Sequence, residues 1–86
     1  MTQVTIYTTN TCGFCAAAKS LLSKKGAKFT EIDVKYDAAE RDRMTLRAGG
    51  RRTVPQIFIG EVHVGGCDDL YALDSKGGLD PLLAAS

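Results

Sequence analysis

From position 3 to position 8 the chain alternates polar and apolar residues, Gln3-Val4-Thr5-Ile6-Tyr7-Thr8, with the β-branched and aromatic content of a half-buried strand. The period then changes. Phe14, Ala17, Ala18, Leu21 and Leu22 recur at helical spacing, and Lys24-Lys25-Gly26 supplies a cationic last turn and a stop. Phe29 to Val34 reads as a second strand, and Asp37-Ala38-Ala39-Glu40 has the form of a capping box. It opens a second helix that runs to about Arg47 before Gly49-Gly50 ends it. Val54 to Ile59 and Glu61 to Val64, joined by a short link at Gly60, predict a hairpin, with Pro55 at the strand's start, where a missing N–H is tolerated. Cys67-Asp68-Asp69-Leu70-Tyr71-Ala72-Leu73 has the acidic first turn and apolar spacing of a third helix, and Asp80-Pro81-Leu82-Leu83 reads as a short closing turn.

The order β-α-β-α-β-β-α predicts an α/β fold: a central four-stranded mixed sheet flanked by helices on both faces, parallel at first and completed by an antiparallel hairpin. Its first β-α joint lies at the carboxyl end of a strand, where such sheets hold their ligands. A chain of 86 residues is too short to divide its apolar side chains between two cores, so one domain over 1–86 is expected. A net charge of +1 offers nothing to a general polyanion, which argues against nucleic acid as a ligand. No apolar run approaches the roughly 20 residues that cross a bilayer. Met1 leads directly into the first strand, without the basic segment and apolar stretch of a signal peptide, so a cytoplasmic protein with no membrane association is expected.

The candidate chemistry sits at that first joint, Thr11-Cys12-Gly13-Phe14-Cys15. Thiols at i and i+3 share a helix face at a separation that a disulfide tolerates, so the pair can be oxidised and reduced with little backbone movement. Three cysteines in a cytosolic chain fit redox chemistry or a metal better than a structural disulfide framework. Unpaired N–H groups and the positive end of the helix dipole favour the thiolate of Cys12, while Cys15 lies a turn deeper among Ala18 and Leu22. Cys12 is therefore the candidate nucleophile and Cys15 the resolving thiol. A competing use of the same residues is a zinc site from Cys12 and Cys15 with His63 and Cys67. Otherwise His63 is expected to face solvent, Tyr7 to pack within its strand, and Cys67 to be a small side chain at a helix start.

Three motifs in order, Cys12-x-x-Cys15, Thr53-Val54-Pro55 and Gly65-Gly66-Cys67-Asp68-Asp69-Leu70, resemble those of the small dithiol glutaredoxins. The run from Thr53 to Ile59 and on through Gly77-Gly78-Leu79-Asp80-Pro81-Leu82-Leu83 is particularly similar to the bacterial glutaredoxin 3 type. Thioredoxins proper are a poorer match, being longer and carrying a tryptophan before the motif, whereas this chain has none. The resemblance implies a thioredoxin fold and a glutathione-dependent thiol–disulfide oxidoreductase of cell redox homeostasis and electron transport. Such an enzyme reduces protein–glutathione mixed disulfides and protein disulfides through Cys12 and Cys15. It also implies a monomer with glutathione as co-substrate, and glutathionylated or disulfide-bonded proteins as partners, ribonucleotide reductase being the family-level expectation.

The same resemblance implies the glutathione site. A cis Pro55 turns the Val54 N–H and C=O toward the cysteinyl part of glutathione, with Thr53 beside it and Phe14 as an exposed wall. Gly66 allows close approach, the N–H groups of Cys67 and Asp68 take the γ-glutamyl carboxylate, and the Asp68 side chain holds the ammonium group. Arg51 or Arg52, with Arg52 the candidate, pairs with the glycine carboxylate. Two positions depart from the family pattern: Gly13-Phe14 stands where Pro-Tyr is usual, and Thr9 where a lysine is usual. The missing cation predicts weaker glutathione binding. Cys-Gly-Phe resembles the monothiol glutaredoxins, in which two subunits share a [2Fe-2S] cluster, each through its first cysteine and a bound glutathione. The alternative function is accordingly a cluster-bridged homodimer with Cys12 as metal ligand. The retained Cys15, and the absence of the longer loop those proteins carry before the motif, count against it.

Overall fold

The computed structural model describes residues 3–84. Alternation along the first strand, β1 (Val4–Thr8), divides the interior in two. Val4 and Ile6 point to one side and Tyr7 to the other. The chain continues through α1 (Gly13–Lys24), β2 (Phe29–Asp33), α2 (Ala38–Arg47), β3 (Gln56–Ile59), β4 (Val62–Gly65), α3 (Cys67–Ser75) and α4 (Leu79–Ala84). The sheet order is β2-β1-β3-β4, with β1 parallel to β2 and antiparallel to β3, and β3 antiparallel to β4.

On the first face Val4, Ile6, Ile57 and Ile59 pack against Ala18, Leu21 and Leu22 of α1, Leu70 of α3, and Leu79 and Leu83 of α4. On the second, Tyr7 and Phe58 pack with Val34 against Met44 of α2 and Ala48 just beyond it. Each fully buried Leu or Ile of this set contributes roughly 1.5–3 kcal/mol relative to exposure. Because β3 is internal and covered on both faces, all four of its residues are buried. Strand β2 is an edge and leaves Thr30, Glu31 and Asp33 exposed. Val34 falls just outside β2, though its N–H still donates to Thr8 O at 2.9 Å.

Helix starts follow the sequence closely. Asp37 Oδ1 accepts from the Glu40 N–H at 3.0 Å, which is half of the expected capping box; the Glu40 carboxylate turns to Arg43 instead. The chain end differs from expectation. Leu79–Ala84 is a helix, α4, where a turn was expected: Pro81 falls in its first turn, where no intrahelical N–H bond is lost, and Leu79 and Leu83, one turn apart, reach the core. No helix among the described residues is long and apolar enough to cross a membrane.

Candidate active site

Cys12 ends the loop after β1 and serves as the N-cap of α1 with an extended backbone, φ −100° and ψ 110°. Its Sγ accepts from the Cys15 N–H at 3.1 Å, so sulfur does the work of the oxygen that usually satisfies a first-turn donor. The Cys12 N–H donates to Thr9 O at 3.3 Å, which closes the loop beneath the thiol. Cys12, Cys15 and Cys67 are all free thiols; Cys12 is partly exposed, whereas Cys15 is 1% exposed. Burial above all, with the neighbouring Cys12, pushes the Cys15 thiol up to about 12, so it keeps its proton at neutral pH.

Facing Cys12 is the segment that leads into β3. The Val54–Pro55 peptide is cis, and Val54 O accepts from Cys12 Sγ at 3.7 Å. Between this segment and the start of α3 lies an open groove of about 280 Å³. Phe14, 66% exposed, forms one wall; Thr53, Val54 and Pro55 form the floor; Gly66, Cys67 and Asp68 form the far side. Seven of the eight predicted glutathione-site residues, all but Arg52, therefore converge on one groove with Cys12 beside it, and Cys15 is buried behind that thiol.

The two arginines separate. Arg51 borders the groove and its Nη1 donates to Asp69 Oδ2 at 3.1 Å, while Arg52 turns away to Asp42 at 3.3 Å. The two aspartates separate as well. Asp69 Oδ2 also accepts from the Gly66 N–H at 2.9 Å, and these two partners hold its carboxyl below the usual range; Asp68 is exposed on the groove. Gly65 has φ +114°, and a side chain there would collide with the Asp69 carboxylate. Cys67 lines the groove but is nearly buried, and burial, Asp68 and Cys12 push its thiol up.

The glutaredoxin family model matches residues 4–64. The chain belongs to the glutaredoxin family. It is 59% identical over 83 residues to glutaredoxin 3 of Escherichia coli strain K12, covering 96% of this chain and 99% of that one. Among solved structures it is similar to glutaredoxin from Brucella melitensis, with TM-score 0.84, 58% identity, and coverage of 96% and 89%. A buckwheat glutaredoxin–glutathione complex matches with TM-score 0.84 and 31% identity over 93% of this chain and 74% of that one. The mixed sheet and its helices are thus the thioredoxin fold, and thiol–disulfide oxidoreduction is the chemistry of this glutaredoxin's family.

In this glutaredoxin His63 is not a solvent-facing hairpin residue. It pairs in register with Phe58, stacks on that ring at 4.8 Å, and meets Gln56 Oε1 through Nε2 at 2.7 Å. Burial, with Arg51 and Arg47 nearby, pushes its imidazole below the usual range. His63 packs on the Phe58 side of the sheet and Cys67 in the cluster on the other side, so the four residues of the zinc reading do not converge. Among the described residues no group of three or more His, Cys, Asp or Glu side chains is placed to hold a metal ion. Gln56 is a polar residue the sequence reading passed over, although a glutamine heading the apolar run Ile57-Phe58-Ile59 was a visible signal.

Proposed function

We propose that the chain is a glutathione-dependent oxidoreductase that reduces protein–glutathione mixed disulfides and protein disulfides, working as a cytoplasmic monomer. The observation that carries this reading is the pairing of a partly exposed Cys12, beside a groove, with a buried, protonated Cys15. In the first route the Cys12 thiolate attacks the glutathione sulfur of a mixed disulfide. A Cys12–glutathione bond forms, the protein thiolate leaves, and a second glutathione thiolate attacks the bound glutathione sulfur, giving oxidised glutathione and free Cys12. In the second route Cys12 bonds to one sulfur of a protein disulfide. Cys15 then loses its proton, attacks the Cys12 sulfur and releases the reduced protein, and two glutathione molecules later reopen the Cys12–Cys15 disulfide.

Glutathione lies along Thr53, Val54 and Pro55 in this reading, adding its extended backbone to that of Val54. Its γ-glutamyl carboxylate meets the N–H groups of Cys67 and Asp68 at the start of α3, beside Gly66. The Asp68 carboxylate is placed for the ammonium group, and Phe14 covers the ligand. Arg51, which borders the groove, is better placed than Arg52 for the glycine carboxylate. The buckwheat relative was solved as a complex with glutathione, which supports the same ligand here.

The test is turnover of a glutathionylated peptide with glutathione, glutathione reductase and NADPH. Cys12→Ser should abolish both routes, and Cys15→Ser should keep deglutathionylation while losing reduction of protein disulfides. Loss of deglutathionylation in Cys15→Ser would overturn the division of labour, and turnover driven by thioredoxin reductase without glutathione would overturn the choice of reductant.

One observation favours a second reading, carriage of a [2Fe-2S] cluster between two copies. Cys12 is the most exposed of the three cysteines, and beyond its chain neighbours and the helix backbone nothing lies within 4 Å of the position a Cβ would take at Gly13 beside it. Cys12 and a bound glutathione from each copy would hold the cluster. Anaerobic reconstitution with iron, sulfide and glutathione tests it: a chromophore on a dimer, lost in Cys12→Ser, supports the reading, and a colourless monomer removes it.

A further inference from the structure

Among the described residues Thr8 and Gln56 are the buried polar side chains. Thr8 is accounted for locally by donating to the Glu31 carboxylate at 2.6 Å. Gln56 is completely buried at the head of β3. Its Nε2 donates to Thr53 O at 3.0 Å and to Thr53 Oγ1 at 3.2 Å, and its Oε1 lies 2.7 Å from His63 Nε2.

The hydrogen-bond chemistry fixes every orientation in this chain. Thr53 O only accepts, so the amide NH2 must face it and Oε1 must face the imidazole. Oε1 only accepts, so His63 Nε2 carries a proton. The imidazole stacks on Phe58 with an interplanar angle of 24°, and that ring is itself held by the Arg47 guanidinium, 4.1 Å from its centroid, which also donates to Tyr7 OH. The chain ends at Thr53, the neighbour of Val54, whose carbonyl meets Cys12 Sγ.

The geometry points to His63 and Gln56 as a positioning pair for the groove. The His63 Nε2–H holds the Gln56 amide, which in turn holds the Thr53–Val54 backbone against which the glutathionyl substrate docks. This rests on the glutathione reading above. Neither side chain is among the groove's lining residues, so both act through the floor of the groove.

Two substitutions separate hydrogen bonding from packing. His63→Phe keeps a ring over Phe58 but removes the donor, leaving Gln56 Oε1 buried and unpaired; His63→Gln restores a donor without the ring. The expected result with a glutathionylated peptide is a KM raised roughly tenfold in His63→Phe, with kcat within about twofold of wild type, and a KM restored in His63→Gln. In the free protein the Gln56 side-chain NH2, which donates to Thr53 O and Oγ1, should exchange with solvent roughly tenfold faster in His63→Phe and return toward the wild-type rate in His63→Gln. An unchanged KM or an unchanged exchange rate in His63→Phe, or failure of His63→Gln to restore both, overturns the positioning role. A wild-type protein inactive on the glutathionylated peptide would overturn the glutathione reading instead, and the exchange comparison would then decide alone whether His63 holds this segment.

Discussion

Cys12 Sγ lies 3.1 Å from the Cys15 backbone nitrogen, so one thiol caps the helix that buries the other. The sulfur thus has a structural duty alongside the chemical one proposed for it. Cys12→Ala removes the acceptor and should cost about 0.5–2 kcal/mol of stability, as loss of an N-cap does. Cys12→Ser keeps an acceptor and should stay within about 0.5 kcal/mol of wild type while losing activity. Urea denaturation of both variants checks this.

Alkylation should be sharply selective. Cys15 and Cys67 are buried and their thiols are pushed up, so iodoacetamide at neutral pH should add one group to the native protein, at Cys12, and three after unfolding. Mass spectrometry of the intact and digested protein reads the count and the site.

The raised Cys15 thiol also links stability to pH. An ordinary cysteine thiol near 9.0 belongs to the unfolded chain, while the native one is held up to about 12. Below pH 9 both states keep the proton and the contribution is intact. As pH rises from about 9 toward 12 the unfolded chain releases its proton first, so the native state loses stability, by at most about 1.4 kcal/mol per pH unit. The stability difference between wild type and Cys15→Ala should therefore shrink across that window and hold steady below it, as measured by urea denaturation at a series of pH values.

Asp69 joins the start of α3 to Arg51 through one carboxylate oxygen. Asp69→Ala should cost about 1 kcal/mol through loss of the bond to the Gly66 N–H and should free Arg51 beside the groove. Its carboxyl is held below the usual range, so its contribution is present above the ordinary aspartate pKa and is lost as pH falls through the lower native value. Thermal unfolding of wild type and variant should converge in acid.

Thr9 stands where a lysine is usual in the family, and its carbonyl closes the loop beneath Cys12 without using its side chain. Thr9→Lys should leave that loop intact and lower KM for a glutathionylated peptide several-fold at low salt, with the gain fading as salt screens the added charge. Steady-state kinetics at two ionic strengths distinguish this from a structural change.

Seven of the eight elements were legible because their periods are strong and their ends are marked: Asp37 before α2, Lys24 to Gly26 after α1, Gly60 in the hairpin. Helix α4 was not, because Asp80-Pro81 carries the signature of a turn and only Leu79 and Leu83 speak for a helix. The two thiols and the Thr53–Pro55 segment announced themselves as motifs. Arg51 and Arg52 could not be told apart, since a loop has no period, and which one meets the groove depends on where Asp69 and Asp42 lie in space. The partnership of Gln56 with His63 was hidden for a similar reason: it depends on the register of β3 with β4, and a chain read residue by residue does not display cross-strand neighbours.

Strand β3 is buried on both faces, and it begins at the residue after Pro55. The side of the groove that meets Cys12 is therefore anchored in the least yielding part of the molecule, while Phe14, Arg51 and Asp68 stand exposed around it. Substitutions at those three rim positions leave the interior untouched. What the groove accepts can thus drift or be engineered at the rim without renegotiating the buried scaffold beneath it.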